Sequence, residues 1–415
     1  MTASPHRSSD GGSLPPWTPE RLPTLPGGGW ASVPGTAVGV AAGDIKGNGA
    51  DRDDVVILVA PGSAAGLTTT NAAAAAPCLW TRAWLPGKAH AVVVNSGNAN
   101  AATGSRGAAD VEAMAARTAA ALGCPLDRVL VCSTGVIGVP LPMDRLLPAI
   151  DRACALHGDG AAAARAIMTT DTRPKEVAVA VEVAGHRLHV GGMAKGSGMI
   201  HPGMATMLGF ITTDAVIDPQ PLQDLLTDAV DRSFHAITVD GDQSTNDTVI
   251  VQATGRGPDC SPGTPGHDAL RRALDQVCCD LAVMIAADGE GAHHLVTCVV
   301  RGLSDDRAAR RAARAVVGSN LVKAAVHGHD PNWGRIVSAL GQARVPGLDR
   351  LDLDLCRVPV MRHGQALSFD EARVSAAMEA PEVLIQARLP GEGLGVAWGC
   401  DLSADYVRIN ADYRS

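Results

Sequence analysis

The chain has 415 residues, carries 35 Lys+Arg against 43 Asp+Glu for a formal charge of −8, and is 46% hydrophobic but only 3% aromatic. That length suits about two to three domains with sizeable cores, and a charged fraction of 19% beside so many apolar residues excludes a disordered chain. An acidic, aromatic-poor composition argues against a nucleic-acid partner, and no apolar run approaches the roughly 20 residues of a membrane helix, so a cytoplasmic protein with no membrane partner is expected.

In chain order, residues 1–30 are rich in Pro, Gly and Ser, lack a signal-peptide apolar stretch and read as a mobile tail. Ala108–Leu122 predicts a helix stopped by Gly123 and Pro125, and Arg128–Cys132 a buried strand running into the turn STGVIG. Val177–Val183 and His186–Val190 alternate around Ala184-Gly185, the pattern of a β-hairpin. Pro221–Arg232 and Asp268–Ala287 predict helices on either side of a strand at Thr248–Gln252. A strand at Leu295–Arg301 precedes an Arg/Ala-rich helix at Asp305–Val317, and the remainder mixes strands at Leu351–Cys356, Val383–Arg388 and Gly395–Cys400 with a helix near Asp370–Ala380. The fold class is therefore α/β with two or more lobes.

The ten cysteines include no CxxC pair and read as free, mostly buried thiols. Lys195-Gly196-Ser197-Gly198 lacks the spacing of a phosphate loop. His327-Gly328-His329-Asp330 suggests a metal only if further ligands join it, and none is apparent in the sequence; a loop beside Trp333 is expected, with His293-His294 a surface pair and no metal bound. Asp240, Asp242 and Asp247 are expected to shape turns, because EF-hand spacing is absent.

The densest unusual stretch is Gly191–Ala215, GGMAKGSGMIHPGMATMLGFITTDA. It joins close-approach glycines, one of only five lysines in the chain, and Thr206 at the junction of a Gly-rich loop and an apolar run. Taken alone, this stretch reads first as a Gly-rich turn entering a buried strand, with a nucleophile site the lesser alternative.

The same stretch closely resembles the self-cleaving segment of the ornithine acetyltransferases, the glutamate N-acetyltransferases of the cyclic arginine pathway. The resemblance continues in order through NSGNANAATG at Asn95–Gly104, STGVIG at Ser133–Gly138, MTTDTRPK at Met168–Lys175 and DGDQSTNDT at Asp240–Thr248. It extends further through ADGEGA at Ala287–Ala292, SNLVKAAVHGHDPNWGRI at Ser319–Ile336 and YVRINADYRS at Tyr406–Ser415. It implies a two-lobed architecture of stacked sheets and helices, cut between Ala205 and Thr206 into an α chain (31–205, N-terminal lobe with the oxyanion hole) and a β chain (206–415, C-terminal lobe), assembled as an α2β2 heterotetramer.

By resemblance Thr206 is the nucleophile, activated by its own freed α-amine, whose ordinary pKa of about 7.7–8.0 suits a base. Thr134 and Gly135 supply the oxyanion donors. Thr169, Lys195, Thr206, Glu290, Asn410 and Ser415 contact substrate, with Lys195 suited to an α-carboxylate and Glu290 to a cationic amine. N-acetylornithine would donate acetyl and glutamate accept it, without a cofactor; acetyl-CoA is a further possible donor, and a secondary-metabolism relative with another acyl donor is an alternative. Other readings are an uncleaved inactive homologue and a self-processing amidase or aminopeptidase. The sequence departs from the family's usual residues at Gly203 (Asn or Asp), Gln243 (Thr), His293 (Thr) and Ser415 (Thr).

Overall fold

A computed structural model describes residues 21–49, 52–201 and 207–412. The larger of its two sheets contains β1 (Ala37–Ala41), β2 (Val55–Thr68), β3 (Gly87–Asn98), β4 (Val129–Val136), β5 (Lys175–Val183), β6 (His186–Lys195), β7 (Leu208–Thr213) and β8 (Thr248–Ala253). Their order is β4-β3-β2-β8-β7-β6-β5, with β1 paired to a separate stretch of β2. The helices accompanying it are α1 (Ala76–Ala83), α2 (Gly104–Leu122), α3 (Met143–Ala153), α4 (Gly160–Ala166), α5 (Pro219–Arg232) and α6 (Pro265–Ala287).

The second sheet is built from β9 (Leu295–Leu303), β10 (Asp352–Leu355), β11 (Val358–Arg362), β12 (Gln365–Ala366), β13 (Glu382–Gly391) and β14 (Leu394–Cys400), in the order β12-β11-β10-β13-β9-β14. With it come α7 (Asp306–Val317), α8 (Asn320–His327), α9 (Trp333–Gln342), α10 (Glu371–Met378) and the terminal α11 (Ala404–Asp412). The expected α/β class is present, with its strands divided between two sheets.

Alternation drives the larger sheet. Val55, Ile57 and Val59 of β2 pack with α2 and α3, whereas Val56, Leu58 and Ala60 face a second core containing Trp30 and α4 residues. Opposite, β5, β6, β7 and β8 bury their apolar residues against α5 and α6. The predicted hairpin forms at Ala184-Gly185, both with positive φ (49° and 82°), the requirement of a tight two-residue connection between twisted strands. Helix α6 begins three residues earlier than predicted because Thr264 Oγ1 accepts the His267 N–H and Pro265 sits in the first turn.

Two expectations change. Residues 21–30, assigned by composition to a mobile tail, are packed: Leu22 N–H donates to Gln276 Oε1 (2.7 Å), Gln276 Nε2 returns a bond to the Leu22 carbonyl, Leu25 N–H donates to the Ala178 carbonyl, and Trp30 is buried. Proline and glycine lower helix and strand propensity, but they leave the backbone free to bond to neighbouring elements. The first 20 residues lie outside the described set. The lobes also do not divide at 205/206: β7 and β8, which follow that point, are inserted in the larger sheet between β2 and β6, so the second sheet begins only at Leu295.

Candidate active site

Parallel pairing of β3 and β4 places Ser96 beside Thr134 and Gly97 beside Gly135. Gly135 has φ of +129°, and a Cβ there would lie 2.1 Å from the Gly97 carbonyl oxygen, so this position requires glycine. Asn246 locks the same strand ends from across the sheet, its Nδ2 donating to the Ala99 (2.6 Å) and Ser133 (2.9 Å) carbonyls.

Lys195 ends β6, opposite Leu208 in the antiparallel pairing with β7. It is only 2% exposed. Its ammonium donates to Thr169 Oγ1 (2.7 Å) and Thr134 Oγ1 (3.4 Å) and lies 3.9 Å from Asp171 Oδ2. Burial pulls the Lys195 pKa below the ordinary lysine range, partly opposed by Asp171. Asp171 also accepts from Lys175 Nζ (2.7 Å), Gly196 N–H (2.7 Å) and Thr169 N–H (3.1 Å). Burial alone would raise its pKa; the two ammonium groups and these hydrogen bonds win, bringing it down to about 2. Lys175 in turn pairs with Asp288 (2.6 Å). Two buried cations and two buried acids thus form one chain, which meets the requirement that interior charges be paired.

Asp288 leads directly to Glu290. Ser197 Oγ donates to the Asp288 carbonyl (2.6 Å) and Glu290 N–H to the Ser197 carbonyl (2.9 Å), tying the Glu290 turn to the loop after Lys195. Gly198 leaves room for the Glu290 carboxylate: a Cβ there would lie 2.4 Å from it. Asn410 on α11 donates from Nδ2 to Glu290 Oε2 (2.7 Å). Asp247 accepts the Met207 N–H at 2.9 Å, while its other carboxylate oxygen has no hydrogen-bond partner among the described residues; burial pushes its pKa well above the usual range.

Thr134, Gly135, Thr169, Lys195, Glu290 and Asn410, drawn from five separate stretches of sequence, therefore line one cleft. Ala205, Thr206, Gly203 and Ser415 lie outside the described residues; the described residues flanking the first three are His201 and Met207. Sequence reasoning did not assign the supporting Asp171, Lys175, Asn246 and Asp288, and gave Asp247 only a turn-shaping role. All five lie inside the blocks quoted for the resemblance, but the pairings among them depend on the folded sheet. The turn-shaping role expected for Asp240 is present, since its carboxylate accepts the Met199, Ile200 and Asp242 N–H groups.

Away from the cleft, the expectation that His327 lacks further ligand-type neighbours is overturned: His293, His327 and Asp401 bring one donor atom each within 4.8 Å of one another. They are distant in sequence and are gathered by the packing of α8 against the β14–α11 connection. Among the described residues, no helix is long and apolar enough to cross a membrane.

Comparison with known proteins identifies the family. The family model "ArgJ family" matches residues 37–415. The arginine biosynthesis bifunctional protein ArgJ of Symbiobacterium thermophilum is 50% identical over 94% of this chain and 99% of its own length. Its counterpart in Thermosynechococcus vestitus is 48% identical over 91% and 95%. Among solved structures, the ArgJ crystal structure from Bacillus halodurans is 43% identical, covering 50% of this chain and 100% of that one, with a TM-score of 0.49. A mixed α/β chain with these relatives is an enzyme of the acyltransferase class. It belongs to the ArgJ family.

Proposed function

We propose that the protein is a glutamate N-acetyltransferase of arginine biosynthesis, moving acetyl from N2-acetyl-L-ornithine to L-glutamate by a ping-pong route after cutting itself between Ala205 and Thr206. The observation that carries this reading is the cleft itself. A buried ammonium (Lys195), a carboxylate held in a tight turn (Glu290), two threonines and a glycine-strained strand end surround one space, and Lys195 stands opposite Leu208, two residues after Thr206.

In this reading the Thr206 hydroxyl attacks the Ala205 carbonyl, giving an ester by N→O acyl shift, which water hydrolyses. The freed α-amine then takes the hydroxyl proton as Thr206 attacks the acetyl carbonyl of the donor, and Thr134 with the Gly135 N–H steadies the oxyanion. Ornithine leaves with a proton, glutamate enters, and its amine accepts the acetyl group as the Thr206 hydroxyl is restored. Lys195 pairs with the substrate α-carboxylate, Glu290 with the cationic amine, and Thr169, Asn410 and Ser415 complete the contacts. The two cut chains act together as an α2β2 heterotetramer in the cytoplasm, with no cofactor. The word "bifunctional" in the names of the relatives favours a second reading in which acetyl-CoA also serves as donor.

Replacement of Thr206 tests both halves of this mechanism. Active protein should run on a denaturing gel as pieces of 205 and 210 residues, the second beginning at Thr206 by N-terminal sequencing. Thr206→Ala should remain a single chain without acetyl transfer. An active intact band, or transfer by the variant, would sink the mechanism; acetyl-glutamate formed from acetyl-CoA alone would establish the second donor.

A further inference from the structure

Four imidazoles converge at the far end of the Glu290 loop. His293 and His294 follow the Glu290 turn; His327 closes α8 and His329 lies just beyond it. The His293 and His327 rings stack with centroids 5.4 Å apart, and both neighbour Asp401, whose side chain is fully buried. Asp401 Oδ1 is occupied by two backbone donors, His293 N–H (2.8 Å) and His294 N–H (2.9 Å). Those bonds fix the carboxylate and turn Oδ2 toward the rings, 2.8 Å from His327 Nδ1 and 4.0 Å from His293 Nδ1.

We propose that His293, His327 and Asp401 form a binding site for a divalent transition metal of the zinc type. Two imidazoles and one carboxylate are a donor set such ions accept, with the remaining position left for water. Bonds of about 2.0–2.1 Å in tetrahedral geometry hold donor atoms roughly 3.3 Å apart. The two distances to Asp401, 2.8 and 4.0 Å, bracket that spacing and all three donors lie within 4.8 Å of one another, so ligation requires the half-open His293 ring to turn toward the other two. The anchoring of Asp401 by backbone N–H groups is the outer-shell support that holds a ligand in place. On the neighbouring side His294 Nδ1 donates to the Ala380 carbonyl (2.8 Å), leaving its Nε2 against His329 Nε2 (3.2 Å); this second pair flanks the site without sharing its carboxylate.

The ion would join three segments: the loop that presents Glu290, the end of α8, and the connection from β14 to α11, which carries Asn410. Ser403 Oγ already bonds the Gly291 carbonyl across the same junction (2.6 Å). The site thus braces the wall of the cleft from outside and stands independently of the acetyl-transfer reading.

Co2+ titrated into the full-length protein as purified, read by visible absorption and calorimetry, tests this. Saturable uptake of about one ion per chain with the strong absorption of four-coordinate Co2+, reversed by Zn2+, is expected. His293→Thr alters a side chain that is 54% exposed and so should leave the fold intact; it should weaken uptake at least about tenfold and abolish the metal-dependent rise in melting temperature. His327→Gln should do the same wherever its metal-free melting curve matches the parent. Absence of saturable uptake, uptake unaltered by His293→Thr, or uptake lost in His294→Ala but retained in His293→Thr would each overturn the assignment.

Discussion

At the scale of single residues, the cleft depends on Asp171. One carboxylate serves Lys175 and Lys195 and accepts two backbone N–H groups besides. Its folded pKa of about 2 lies below the unfolded value of about 3.9. A depressed carboxyl contributes stability that is present above the unfolded pKa and lost as pH falls through the folded one. The contribution should therefore disappear between about pH 4 and pH 2. Asp171→Asn, made in the uncut Thr206→Ala chain so that one polypeptide is followed, should cost about 3 kcal/mol at neutral pH. It should also flatten the fall of the melting temperature across that acid window; a variant as acid-sensitive as its parent would refute the role. None of this was readable from MTTDTRPK alone. Asp171 and Lys175 are one helical turn apart in number, but the cation that matters for the cleft, Lys195, reaches them only through the β5–β6 hairpin.

At the scale of elements, the second sheet is governed by close approach. Helix α7 carries Ala309, Ala312, Ala313 and Val316 on its inner face, and β14 meets it with glycines. A Cβ at Gly395 would lie 2.1 Å from Arg310 N. Gly395→Ala should therefore destabilise by about 1–3 kcal/mol through overpacking, seen as a lower unfolding midpoint in denaturant, whereas an unchanged midpoint would mean the helix can retreat. Helix α7 was legible in advance because Asp305 caps it, accepting the Ala308 N–H at 2.7 Å, and because apolar and Arg positions alternate at helical spacing. The hairpin was legible from strict alternation. Strand β2 was not, because Pro61-Gly62 interrupts it; the structure absorbs that pair in a register shift between Val59 and Gly62 in the pairing with β3. Stacked sheets and helices were implied by resemblance, whereas the insertion of β7 and β8 into the first sheet needed long-range pairing that no local pattern carries.

At the scale of the whole molecule, the position of the proposed cut matters more than the nearly equal length of its products. Strand β7 pairs with β6 from Val190↔Thr213 to Lys195↔Leu208, and β8 pairs with β2 from Ser63↔Ala253 to Thr68↔Thr248. Both junctions join residues before 206 to residues after it, with a shared apolar core beneath. The two cut chains should co-elute through native size-exclusion chromatography and separate only in denaturant; free dissociation in native buffer would contradict the sheet order. Strand β5 ends this same sheet. Its outer side does not stand bare along its whole length: Thr24 bridges Val179, Leu25 bonds Ala178, and Arg21 anchors the segment to Asp280 on α6. An uncovered strand edge is a template on which further chains can stack, the first step toward insoluble aggregates. Residues 21–25, which composition assigns to a mobile tail, thus act as a selvedge, finishing the rim of the sheet and keeping neighbouring molecules from extending it.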